Sequence, residues 1–203
     1  MIENESQIKS IKRNNTLRNT NSNIRKYKHR MKNNKNGDEI MLIRLIEDRD
    51  KEEVLEMMKV FYASPAVLHK APEEILKKDI DDCIGKCPFI EGYVFECNSD
   101  DKKGLNEEDK ENKIDKIAGY AMLAKSYSTE YGGMCVWVED IYIKNEYRGM
   151  GIGSKFFEKL QDMYGDDSVR FRLEVEPENE RAVAVYEKCG YKKLPYMQMT
   201  KEL

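Results

Sequence analysis

Arg148-Gly149-Met150-Gly151-Ile152-Gly153-Ser154 combines a guanidinium, three glycines and a hydroxyl within seven residues. It follows a strand-like apolar run from Val136 to Ile143. It precedes Phe156, Phe157, Leu160, Met163 and Tyr164, which recur at helical spacing. A glycine-rich turn entering a helix suits an anion. Glycine lets the backbone approach a ligand closely, the first helical N–H groups have no intrahelical partner, and the helix dipole favours negative charge there. The spacing excludes two common phosphate loops. A dinucleotide fingerprint would need glycine at Ser154 or Phe156, and a Walker A loop needs Gly-Lys-Ser/Thr where the chain has Gly153-Ser154-Lys155.

A second constellation follows. Leu173-Glu174-Val175-Glu176 reads as a strand. Asn179 reads as the N-cap of a helix that runs through Val183, Tyr186 and Cys189 and stops at Gly190. Arg148, Gly151 and Gly153, as Arg-x-x-Gly-x-Gly, resemble the acetyl-CoA pyrophosphate loop of the GNAT superfamily of N-acetyltransferases. Asn179, Ala182, Tyr186, Gly190 and Tyr191 resemble the second half of that superfamily's cofactor site. The resemblance covers roughly residues 41–203. It implies an α/β fold, with a mixed twisted sheet of about six or seven strands and helices on both faces. It also implies acetyl-CoA as co-substrate. The pantetheine arm would then pair with Ile141, Tyr142 and Ile143, and Arg148, Gly149, Met150, Gly151, Ile152, Gly153 and Ser154 would hold the pyrophosphate. Asn179 would contact the cofactor or order the helix start.

Acetyl transfer from a thioester to an amine sets further requirements. An alkylammonium has a pKa of about 10 and must lose a proton before it attacks. The oxyanion needs donors and the leaving thiolate benefits from an acid. By its motif position Tyr186 resembles the superfamily tyrosine that approaches the CoA sulfur. For the base, Val138-Glu139-Asp140-Ile141, with Arg148 nine residues after Glu139, resembles the strand of diamine and polyamine acetyltransferases whose glutamate is the base. Glu174 resembles the base-bearing position of ribosomal-protein N-terminal acetyltransferases. Glu139, Glu174, Asp140 and water alone all remain open. Adjacent strand residues face opposite ways, so only one of Glu139 and Asp140 points into a cleft unless a bulge intervenes. A covalent route through Cys135 or Cys189 lacks a neighbouring base in sequence.

These groups need a frame, and the pattern supplies one. Met41 to Ile46 reads as a strand. Asp50 and Glu53 mark a helix start, with Val54, Leu55, Met58, Phe61 and Tyr62 on its apolar face. Pro72 opens a second helix ending near Gly85. Ile90 to Cys97 and Ile117 to Ala124 are strands, Gly132-Gly133 is a turn, and a last pair of short strands is expected in Tyr191 to Lys201. Residues 99–115 hold seven acids and four lysines and read as a solvated loop insertion.

Composition bounds the rest. Five cysteines without framework spacing suit a reduced, cytoplasmic protein. Cys83 and Cys87 fall on one apolar helix face with Leu76 and Ile80, so no metal site is expected. No apolar run approaches the ~20 residues that span a bilayer, and no membrane partner is expected. Residues 1–40 carry ten bases and four acids, a net +6, against −9 for the remainder and −3 overall. With nine asparagines and little apolar content this stretch reads as a disordered basic tail. It admits a nucleic-acid or lipid contact, a targeting peptide, or no role. A nucleic-acid partner would rest on it alone. The acidic remainder suits a small cationic amine or polyamine as acceptor. A protein N-terminal or lysine acetyltransferase and a non-catalytic acyl-CoA-binding module are the other readings, and a homodimer is one admissible assembly.

Overall fold

The computed structural model describes residues 41–97 and 116–202; the expected tail, the charged insertion and Leu203 lie outside the described residues. Among these, the apolar runs form a single sheet in the order β1-β2-β3-β4-β5. The strands are β1 (Met41–Leu45), β2 (Ile90–Cys97), β3 (Lys116–Ser128), β4 (Gly133–Ile143) and β5 (Ser168–Leu173). The first three pairings are antiparallel and β4–β5 is parallel. Helices α1 (Lys51–Tyr62) and α2 (Glu73–Ile84) join β1 to β2. Helix α3 (Ile152–Tyr164) crosses from β4 to β5, and α4 (Glu180–Lys188) follows.

Two apolar clusters account for this layering. Val54, Leu55, Met58, Leu76 and Ile80 of α1 and α2 pack on Val94, Tyr120 and Met122. On the other face Phe156, Phe157 and Leu160 of α3 pack on Phe95, Leu123, Val136 and Val138. Burying each such side chain contributes about 1.5–3 kcal/mol, so the sheet is held between its two helical layers as expected. Arg44 adds a polar tie. Its guanidinium pairs with Asp50 at 2.6 Å, and also with Glu96, fixing β1, β2 and the entry to α1 together.

A glycine on β3 packs close against β4. A Cβ at Gly119 would lie 2.2 Å from the Tyr142 carbonyl oxygen and 3.0 Å from the Phe95 ring. Only glycine fits there, and it lets the β4 residues opposite reach their place in the sheet.

Two expectations need correction. The fifth strand spans Ser168–Leu173, not Leu173 to Glu176. Glu174, Val175 and Glu176 keep the alternation of a strand but have no ladder, because β4 and β5 pair only as far as Val138 and Leu173. The sheet has five strands among the described residues, not six or seven, since Tyr191 to Lys201 forms none. Lys192, Lys193 and Pro195 interrupt that segment. Tyr196, Met197 and Met199 are exposed there, so no burial holds it against the sheet.

Candidate active site

The early end of the β4–β5 pairing creates the site. Beyond Val138 the strand β4 continues to Ile143, hydrogen-bonded to β3 on one side only. The strands part into a V-shaped cleft of about 1160 Å³. Its walls include Glu139, Ile141, Tyr142 and Ile143 from β4, Glu174 and Glu176 after β5, and Asn179, Ala182 and Tyr186 from the α4 region. Polar backbone along the β5 side of Glu139 to Ile143 is left to a ligand, since unpaired backbone groups need partners.

The glycine-rich turn forms the floor. Gly149 and Gly151 have φ of 82° and 78°, a region that strains other L residues, and Gly151 is the N-cap of α3. No described side chain caps that helix, and Gly151 to Ser154 line the cleft, so its first N–H groups are left to a ligand there. Arg148 is exposed, donates from Nε to the Ile143 carbonyl at 2.9 Å, and lies 5.9 Å from the Tyr142 ring centre. Gly149, Gly151, Ile152, Gly153 and Ser154 line the cleft, whereas Met150, half-exposed, is not part of its wall. These donors suit a pyrophosphate on charge and geometry. Asn179 caps α4 by accepting from the Ala182 N–H at 3.2 Å, so the capping part of its expected role is explained.

The two acids of the motif separate. In the β3–β4 register Met122 faces Asp140 and Leu123 faces Val138, leaving Glu139 as the extra residue of a bulge. Glu139 therefore enters the cleft and Asp140 turns beneath α1. Partial loss of water raises the Glu139 pKa, and the nearby negative charge of Glu174 raises it further. Across the cleft, Tyr186 is packed edge-on against Phe157, with ring centres 5.4 Å apart. Burial raises its pKa, so it stays protonated at neutral pH, and its hydroxyl has no hydrogen-bond partner among the described residues. A carboxylate, a protonated phenol and a loop suited to an anion thus share one cleft. The two cysteines carry no such activation: Cys135 is buried on the sheet, and burial raises both its pKa and that of Cys189.

Asp140 forms a site of its own. It is 5% exposed and accepts from Tyr62 Oη at 3.2 Å and Tyr120 Oη at 3.3 Å. Burial raises its pKa to about 7, with smaller contributions from Glu139 and Asp79, against the lowering effect of the two tyrosines. The folded protein thus binds a proton that the unfolded chain releases near pH 4. Stability contributed at this residue is greatest at low pH and is lost as pH rises from about 4 to about 7. We expect Asp140→Asn to gain stability relative to the wild type across that window, read as urea midpoints at pH 5 and pH 8. Midpoints that change in parallel would show that Asp140 does not titrate there.

Sequence reasoning did not anticipate the tyrosine pair on Asp140, which joins three elements. It also passed over Glu178 and Arg181, which line the cleft with Phe61 and Ser64. The alternation of polar residues at 170, 172, 174 and 176 was the available signal for the acidic wall. No group of three metal-ligating side chains occurs among the described residues, and no described helix is long and apolar enough to cross a membrane.

Comparison with known proteins agrees with this geometry. Residues 71–191 match the model of the Acetyltransferase (GNAT) family. A thialysine N-epsilon-acetyltransferase from Sus scrofa is 32% identical over 157 residues, 76% of this chain and 85% of that one. The Bos taurus protein of the same name is 41% identical over 75 residues, 36% of this chain and 44% of that one, so this match spans less than half of the bovine protein. Among solved structures, a possible acetyltransferase from Clostridium difficile 630 superposes with a TM-score of 0.64 at 20% identity, covering 81% of this chain and 99% of that one, and shares the fold. The chain belongs to the GNAT family of acetyltransferases and is an acetyl-transferring enzyme.

Proposed function

We propose that the enzyme transfers acetyl from acetyl-CoA to a primary amine of a small cationic acceptor, by direct attack in a ternary complex. The observation that carries this is the pairing of Glu139 and Glu174 in one cleft with the free Tyr186 hydroxyl. Two carboxylates attract an ammonium and lower its solvation, and Glu139 takes its proton directly or through water. The amine nitrogen then bonds to the thioester carbon. The tetrahedral intermediate expels the thiolate by C–S cleavage, the thiolate takes a proton from Tyr186, and the proton that the new amide nitrogen sheds restores the tyrosine. Holding the two reactants in the cleft supplies much of the acceleration. Ile141 to Ile143 hold the pantetheine arm and Arg148 to Ser154 the pyrophosphate in this reading. The name of the porcine relative supports an amine acceptor.

Thiol release from acetyl-CoA against polyamines, amino acids, aminoglycosides and peptides tests the proposal. Turnover with peptides alone would favour a protein acetyltransferase. Binding of CoA without turnover would favour a non-catalytic module. Within the mechanism, Tyr186→Phe is expected to lower kcat by about 10–10³-fold while leaving the KM for acetyl-CoA near the wild-type value. Unchanged turnover would remove Tyr186 from proton transfer.

The described cysteines are all free, which supports a reducing, cytoplasmic setting. The outer edge of β5, unpaired among the described residues, and exposed Leu194, Tyr196, Met197 and Met199 support a homodimer. A monomer by light scattering at micromolar concentration would overturn that assembly.

A further inference from the structure

Among the described residues, the cleft is lined by four carboxylates, Glu139, Glu174, Glu176 and Glu178, and by only two cationic side chains, Arg148 and Arg181. Acetyl-CoA is strongly anionic, since it carries a diphosphate and, on its ribose, a phosphate monoester. Like charges oppose one another at close range, so each cation of these walls matters to such a donor. The proposed mode of binding uses Arg148 and leaves Arg181 without a role.

The two arginines are placed differently. Arg148 follows β4, its Nε donates to the Ile143 carbonyl at 2.9 Å, and its guanidinium lies 5.9 Å from the centre of the Tyr142 ring. It is tied to the loop that suits a diphosphate. Arg181 stands on the opposite wall, in the first turn of α4. Val185, four residues on, lines the cleft with it, so the α4 face that bears Arg181 is turned to the cleft. Asn179 fixes that turn by accepting from the Ala182 N–H at 3.2 Å. The Arg181 side chain is exposed and has no ion pair and no hydrogen bond among the described residues, although Glu178 is only three residues away.

The two kinds of phosphate make different demands. Each phosphorus of a bridging diphosphate carries a single charge, which main-chain N–H groups at a helix start can meet. A phosphate monoester carries about −1.5 to −2 at neutral pH and offers three acceptor oxygens. An uncommitted guanidinium matches it with two parallel N–H···O bonds. We propose, resting on the acetyl-CoA reading above, that Arg181 binds the 3′-phosphate of the donor and so selects free acetyl-CoA over acetyl thioesters of pantetheine that lack this group. A pantetheine thioester on a carrier protein has no ribose phosphate and gains nothing from Arg181. The donor is then held from both walls, its diphosphate by the loop before α3 and its monoester by α4.

Calorimetric titration with CoA and with 3′-dephospho-CoA, which differ by that phosphate alone, tests this without any acceptor. The ratio of the two Kd values within each preparation cancels any loss of folded protein. The wild type is expected to bind CoA about 10–100-fold more tightly, the worth of hydrogen bonds to a charged group. Arg181→Gln is expected to bring the ratio close to unity by weakening CoA. Arg181→Lys keeps the charge without the planar fork and should fall between. Arg148→Gln should weaken both ligands alike, because both carry the diphosphate. A wild type that binds the two equally, a ratio that Arg181→Gln leaves unmoved, or one that collapses in Arg148→Gln instead, overturns the 3′-phosphate subsite and leaves acetyl-CoA as the donor. A wild type that binds neither ligand overturns that reading as well.

Discussion

Glu139→Gln is expected to lower kcat by about 10²–10⁴-fold, the usual worth of a positioned proton acceptor. The amide keeps the size of the side chain but cannot take a proton from the attacking ammonium. The KM for acetyl-CoA should change little, because the loop from Arg148 to Ser154 and the α3 N-terminus are untouched. Glu174→Gln is the informative companion. The negative charge of Glu174 contributes to raising the Glu139 pKa, so its removal should move the acid limb of the rate profile to lower pH without abolishing turnover. A Glu139→Gln enzyme with wild-type kcat would leave water as the sole base.

Phe156→Ala is expected to cost about 3–5 kcal/mol of folding stability. Phe156 is fully buried, with its ring centre 5.2 Å from Phe95 and 5.5 Å from Phe157. Its removal opens a cavity between α3 and the centre of the sheet, where β2 and α3 cannot both close in. Equilibrium unfolding in urea measures the loss, and a change under about 1 kcal/mol would mean that the site collapses to fill the space. Phe157 touches Tyr186, so the same cavity is expected to loosen the acid side of the cleft.

The sequence made the helices legible because each has a single apolar stripe, and β2 legible because of its apolar run from Tyr93 to Phe95. It misled at Leu173 to Glu176, where alternation persists after the partner strand has turned away. Alternation reports which side of a strand is buried; it carries no information on where a ladder stops. The same limit applied to Glu139 and Asp140. Period two required that they face apart, but only the β3 register, with its bulge opposite Met122 and Leu123, decides which enters the cleft. Tyr191 to Lys201 misled in another way, since its aromatic and methionine residues suggested strands that no described partner covers. The Tyr62–Asp140–Tyr120 contact lies between elements distant in sequence, where local pattern has nothing to report.

The parting of β4 from β5 has a consequence for how such an enzyme changes over time. In the proposed mode of binding the donor is read largely by main chain, along one strand edge and at one helix start, and main chain is the same whatever side chains it bears. In the same proposal the acceptor is read by side chains, Glu139 and Glu174 among them. Substitutions there can retarget the enzyme to a new amine while its acyl donor stays fixed, so the two specificities can drift independently within one sheet.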